Sequence, residues 1–494
     1  MDPAGTLILA ASGLGDALEK LGVPAVALLA ATAILMPSVR GRAAAALGAL
    51  ALTPVLLIAE IWDSPQLHTL RHRPALAVAL VVAGLVAIGV LAWLMSRHPD
   101  LVPLLAVAAL PFRIPISAAG STANLLVPLY VVIAAGVLAY AIPRARGPDD
   151  DAPHPPGALE WLLCVFVVLY AVQAAYSADF PKALQQVVFF YVPFALLLVL
   201  LREAAWTRQL ALRCLGVLLA LAVIFVGIGF VEYQRKELLL NPKVITANQY
   251  ESYFRVNSLF FDPNVYGRFL AIVMLGITTV VLWARRLRDV WLGALALALL
   301  WAGLILTFSQ SSFAALLAGL AVLAALRWSA RWTAIVAGAA VILAAGFLAV
   351  APGSVHLDLN SSKGADKATS GRVNLIKGGV RLFGDRPVWG FGSGSFSREY
   401  RRHEKASSQR AVSASHTIPV TVAAEQGILG LAVYLALLVA AFARLARRVR
   451  GSPLRAFALA AFAALVVHTL LYAAFLEDPV AWALLGLGTA LAVP

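Results

Sequence analysis

Long apolar runs, bounded by charged residues, proline and glycine, recur along the whole chain. They predict helices at 22–37, 43–61, 75–96, 101–118, 124–143, 158–176, 185–201 and 209–231 in the first half. The second half adds 263–284, 290–306, 311–327, 332–352, 414–443, 455–476 and 480–493. Most approach the roughly 20 residues that a bilayer's hydrocarbon core requires. Pro103, Pro111 and Pro115 interrupt the fourth run, so it is a candidate re-entrant or interfacial segment, as are the first and the last. The expectation is 12 to 15 spans.

Composition agrees with the pattern. Of 494 residues, 61% are hydrophobic and 13% charged, which excludes an ordinary soluble domain. The fold class expected is an all-α polytopic membrane protein, a transmembrane bundle with a partly helical extracytoplasmic loop. Cys164 and Cys214 both lie in apolar runs, so neither a disulfide framework nor a cysteine metal site is expected. The chain opens Met1-Asp2-Pro3 without a basic stretch, and its first true span is expected to act as the targeting signal.

Assigning alternate loops to opposite sides separates the charges. Seventeen arginines, from Arg40 and Arg42 to Arg450 and Arg455, fall on one side; Arg71, Arg73, Arg113 and Lys182 fall in short loops on the other. The arginine-rich side is therefore expected to be cytoplasmic. The organisation that follows is 1–143 as N-terminal helices, 144–157 as a cytoplasmic linker and 158–231 as central helices. An extracytoplasmic loop at 232–262, helices at 263–352, a large basic extracytoplasmic loop at 353–413 and C-terminal helices at 414–494 complete it. That second loop carries eleven basic residues against five acidic ones. It suits either a funnel for an anionic ligand or a loop facing anionic headgroups.

Three constellations carry candidate chemistry. In the first, Arg255 precedes Asp262-Pro263-Asn264, where Asp262 is a natural cap and Pro263 a natural first residue of a helix. Asn264 and Arg268 then share a face, one turn apart. Arg268 lies just inside the apolar run, where a cation needs either an anionic partner or a path to the headgroups. The second runs from Ser370 to Gly384, a short amphipathic helix with Val373, Ile376, Val380 and Phe383 as its apolar positions. Arg372 in its first turn suits a phosphate, or is an ordinary interfacial arginine. Beyond it, Gly390-Phe391-Gly392-Ser393-Gly394 lets backbone amides converge on an anion, or forms a turn with aromatic anchors. The third is His416 followed by Gly427 and Gly430. On a continuous helix His416 and Gly427 would share a face about 16 Å apart, with the glycines admitting a neighbouring helix or a lipid chain. His416 suits proton transfer near neutral pH or a helix cap. His468, deep in an apolar run, reads as an interhelical hydrogen bond.

The acids of the basic loop form no Asp-x-Asp pair and join no histidine cluster, so no metal is expected. The sequence shows no nucleotide-binding motif, and neither a cofactor nor a nucleic-acid partner is expected.

In order and spacing, Arg255 to Gly430 resembles the O-antigen ligase and O-antigen polymerase superfamily of bacterial membrane glycosyltransferases. The resemblance rests on Arg255 to Asn264, on Gly371-Arg372 with Trp389 to Phe396, and on His416 with Gly427 and Gly430. Thr417 and Gln310 depart from the family's usual residues. The resemblance implies a glycan donor on a polyisoprenyl (undecaprenyl) diphosphate and a glycan, lipid or protein acceptor. It implies metal-independent transfer at the outer face of the bacterial cytoplasmic (inner) membrane, among membrane lipids. Arg255, Arg268, Arg372 and Asn264 would hold the diphosphate, His416 would be the base, and Gly427 and Gly430 would border the lipid tail. A polymerase joining lipid-linked repeat units is the near alternative. A polysaccharide or lipid transporter is the distant one, disfavoured because the charges gather at the rim rather than the midplane.

Overall fold

The computed structural model describes residues 3–61, 73–118, 121–148, 155–239, 254–339, 372–404, 417–472 and 475–491. The first eleven helices are α1 Pro3–Leu35, α2 Val39–Ile61, α3 Pro74–Arg97, α4 Leu101–Ala109, α5 Val127–Arg146, α6 Ala158–Ala174, α7 Phe180–Arg202, α8 Arg208–Arg235, α9 Pro263–Leu282, α10 Leu287–Leu306 and α11 Gln310–Ala339. Five follow: α12 Arg372–Asp385, α13 Phe396–Glu404, α14 Ile418–Ala446, α15 Pro453–Leu471 and α16 Pro479–Ala490. Ten are long and apolar enough to cross a membrane, and α6 and α16 are shorter apolar helices. The chain is an all-α polytopic membrane protein.

The proline-broken fourth run behaves as its sequence demands. α4 stops at Ala109, before Pro111, and a small antiparallel ladder follows, β1 Ile114–Ala118 with β2 Ser121–Leu125, before α5 begins. Pro115 sits in β1, where a helix would lack its donor. The expected break between 311–327 and 332–352 is absent: α11 runs on through Arg327 to Ala339, with a π turn at Ala325–Ser329 absorbing the change. Residues 340–352 of the later expected helix lie outside the described residues.

Burial sorts the helices. α7 is covered along most of its apolar length and holds the centre, whereas α3 is uncovered along its apolar window and buries Ala92 and Met95 near its C-terminal end. Arginines gather at one end, where several satisfy the carbonyls left open at helix C-termini. Arg202 donates to Ile34 at 3.1 Å and Arg327 to Leu282 at 3.1 Å. Arg42 and Arg202 both pair with Glu203, and Arg444 pairs with Glu160 at 3.0 Å.

At the opposite end, α12 and α13 cap the bundle. The packed face of α12 is Leu375, Gly378, Gly379 and Leu382, against Tyr400, Phe396 and Val420. The expected apolar stripe is corrected here, because Ile376 and Val380 are exposed. The two glycines let the larger side chains of α13 and α14 come in close, and that approach, rather than side-chain hydrophobicity alone, selects the face.

Candidate active site

The site grows from the start of α9. Asp262 caps that helix by accepting the Asn264 amide N–H at 2.6 Å, and Pro263 takes the first turn. The strand of chain leading in is pinned at both sides: the Val256 N–H donates to Leu306 at 3.1 Å and the Ser258 N–H to Glu232 at 2.8 Å. Ser258 adopts a φ of 50°, a left-handed conformation that the Glu232 contact holds in place.

Arg255 is thereby aimed at two fixed acceptors. Its Nε donates to the Thr307 carbonyl at 3.0 Å and its Nη2 to Asn264 Oδ1 at 3.0 Å. The same Oδ1 accepts from Ser309 Oγ at 2.9 Å, so the Asn264 carboxamide joins the loop before α9 to the cap of α11. His468 Nε2 lies 3.2 Å from the Asn264 carbonyl and 3.3 Å from Ser311 Oγ, the interhelical role expected of it. Gly267 permits this crowding, since a Cβ there would stand 2.6 Å from Ser312 Oγ.

One turn further on, Arg268 is buried and paired with Asp478. Asp478 caps α16, its Oδ1 accepting from the Val480 N–H at 2.8 Å, in the same Asp-Pro arrangement that opens α9. That repeated Asp-Pro opening is the sequence signal by which Asp478 could have been found. Arg113, from the segment between α4 and β1, stacks over Phe261 with its guanidinium carbon 5.2 Å from the ring centre, and it feels the charges of Asp478 and Arg268. Tyr472 completes the group, its hydroxyl hydrogen-bonded with Asp262 and its ring 5.5 Å from His468. Glu477, beside Asp478 in the chain, is driven toward its protonated form by burial, against the opposing pull of Lys182, Arg113 and the Gln186 amide.

Arg113, Arg268 and Asp478 line the head of a cavity of about 1080 Å³. Its walls are apolar, from Val273 and Gly276 on α9, Leu215 and Leu218 on α8, and Leu484 and Leu487 on α16. Arg208, Arg285 and Arg286 stand at its far mouth. From Arg268 to Leu282 the cavity follows about 20 Å of helix axis, much of a bilayer's apolar thickness. Such a space suits an amphiphile with an anionic head.

The glycines among the remaining expected residues meet groups of the chain itself. The Gly390–Gly394 turn does gather backbone amides around an anion, and that anion is internal: the Glu425 carboxylate accepts the Gly394 N–H at 2.9 Å and the Phe396 N–H at 3.1 Å. α14 breaks at Gly427, with φ 66° and ψ −163°, and the loop fills the gap as Ile428 donates to Pro387 at 2.7 Å and Gly392 donates to Glu425 at 2.9 Å. A Cβ on Gly427 would stand 2.2 Å from the Val388 carbonyl oxygen. Gly427 is therefore a backbone contact under the cap, and Gly430 is buried against the Gln426 side chain in the turn after the break. The described helix starts at Ile418 and is interrupted at Gly427, so Gly427 does not continue a single helix face. Arg372 is the first residue of α12, its side chain outside the described residues, as is the whole of His416.

These features define a polytopic membrane protein with a cationic, lipid-sized cavity and two short helices packed on the end of α14. Residues 295–435, from α10 into α14, match the family model described as O-antigen ligase, a match that supports the O-antigen ligase superfamily. The match takes in Arg372, the glycine turn, His416, Gly427 and Gly430; Arg113, Arg255, Arg268 and Asp478 lie outside it. No curated protein matches the chain. The family supports a membrane glycosyltransferase of ligase or polymerase type.

Proposed function

We propose that the protein transfers a glycan from a polyisoprenyl diphosphate to an acceptor hydroxyl, without a metal ion, at the membrane face away from the arginine-rich end. The observation that carries this reading is Arg268. It is 4% exposed and lines an apolar-walled cavity, and its Nη1 has no hydrogen-bond partner among the described residues. A buried guanidinium left short of acceptors is costly, and an anionic head with a hydrocarbon tail would relieve that cost.

In this reading the diphosphate lies among Arg268, Arg255 and Arg372, and the tail occupies the cavity between α8, α9 and α16. The acceptor oxygen attacks the anomeric carbon as the bond to the diphosphate breaks. The leaving diphosphate takes the electron pair, and the arginines stabilise the charge that grows on it. His416 takes the acceptor's proton, and direct attack inverts the anomeric centre. The family match supports the class of reaction, and donor, acceptor and roles are ours.

Purified protein incubated with a defined lipid-linked glycan and EDTA tests the proposal. Transfer by the wild type is expected, with loss of a hundredfold or more in Arg372→Ala and His416→Ala, both still folded and membrane-inserted. Full activity in either variant removes its assigned role. Growth of the glycan on the carrier identifies a polymerase; glycan on a non-isoprenoid acceptor identifies a ligase.

A further inference from the structure

Among the described residues, Arg113 and Arg268 line the cavity head with the Asp478 carboxylate in close reach. Asp478 divides its oxygens: Oδ1 caps α16 through the Val480 N–H, and Oδ2 meets Arg268. Of the other acids nearby, Asp262 is engaged with the Asn264 N–H and Tyr472, and Glu477, which also faces Arg113, accepts from the Gln186 amide and is driven by burial toward its neutral form. Arg268 therefore has one nitrogen on Asp478 and one without a partner among the described residues. Arg113 lies beside both, held by its contact with Phe261 at the start of α9. The charge that Asp478 supplies falls short of what the two guanidinium groups can bind, and both arginines line the cavity.

We propose that Asp478 is the resident counter-anion of this cavity head, displaced from Arg268 when the diphosphate of an amphiphilic ester enters, and that Arg113 supplies a second guanidinium to that anion. The inference rests on the donor reading above and deepens it by adding a residue from the N-terminal third of the chain. A planar guanidinium can bind two oxygens of one phosphate, so Arg268 and Arg113 together match the two phosphates of the head. Carboxylate and diphosphate then compete for Arg268, and the empty site stays compact because its own carboxylate stands in for the ligand. The α16 cap persists throughout, since it uses the other oxygen.

The test uses the full chain in detergent, with inorganic pyrophosphate as the probe and titration calorimetry as the readout. Asp478→Ser removes the carboxylate and keeps an oxygen that can cap α16; Asp478→Asn keeps the capping oxygen itself. Circular dichroism checks that each variant retains its helicity. Tenfold or tighter pyrophosphate binding in either folded Asp478 variant, and tenfold or weaker binding in Arg113→Gln, are expected. Unchanged or weaker binding in both Asp478 variants overturns the counter-anion role, and unchanged binding in Arg113→Gln overturns the role of Arg113. Absence of pyrophosphate binding in every folded form overturns the exchange, while the donor reading is judged separately by glycan transfer. The expected binding pattern without any transfer from a lipid-linked glycan overturns the donor reading and leaves the exchange standing.

Discussion

Asn264 carries more of the site than its size indicates. Its single Oδ1 accepts from both Arg255 and Ser309, and its backbone carbonyl meets Ser312 and His468, so one residue ties α9, α11 and α15 to the arginine. In Asn264→Ala the half-buried Arg255 and the buried Ser309 lose a shared acceptor, at about 1–3 kcal/mol for such a loss. Glycan transfer is expected to fall tenfold or more, with a smaller effect on thermal stability measured in the same detergent. Glu477 gives a second prediction. Burial raises its affinity for a proton above that of the unfolded chain, so its ionisation destabilises the fold as pH climbs from the ordinary carboxylate range through the raised value. Glu477→Gln, which keeps an oxygen for Gln186, is expected to melt higher than wild type at pH 7.5 and no higher at pH 4. Melting curves at the two pH values decide it.

Among the elements, the break in α14 matters most. A continuous helix would close its own hydrogen bonds and offer nothing to the cap. The left-handed Gly427 frees carbonyls and amides that the 386–396 turn then takes up, while Gln173 and Tyr176 beyond them donate to Trp389. The cap carrying Arg372 is thus fixed by backbone pairing rather than by apolar burial alone. Gly427→Ala would impose a conformation that costs a side chain about 1–3 kcal/mol, besides driving a methyl into the Val388 carbonyl. Limited proteolysis is expected to cut the 386–404 region at least tenfold faster in that variant, with the ten spanning helices retained by circular dichroism.

Across the whole molecule, the cavity joins parts that are far apart in the chain. Arg113 comes from the interrupted fourth helix, Arg268 from α9 and Asp478 from the start of α16, with α8 closing the apolar wall. The family match touches none of these residues, although its range takes in α12 and α13. If the carrier's tail lies in this space, filling it should act by chain length. At Gly276 even a Cβ would come within 2.7 Å of Leu215, and Gly276→Phe would obstruct the cavity midway. The apparent KM for a full-length polyisoprenyl donor is expected to rise tenfold or more, with little change for a short-chain analogue. Equal effects on both donors would place the tail elsewhere.

Local chemistry made much of this legible in the sequence. Apolar runs, prolines and charged ends fix where helices begin and stop, and Asp262-Pro263 announces the start of α9 because capping depends only on neighbours in the chain. One-sided arginines and the order of Arg255, Arg372 and His416 are likewise properties of the sequence. Partner choice is not. Whether the amides of the glycine turn meet a ligand or Glu425, whether Arg268 finds Asp478, and whether Gly427 bends a helix or smooths a groove depend on groups between about 30 and 210 positions away. Those contacts form only when the helices are packed, because hydrogen bonds and ion pairs act over a few ångströms in space and take no account of distance along the chain.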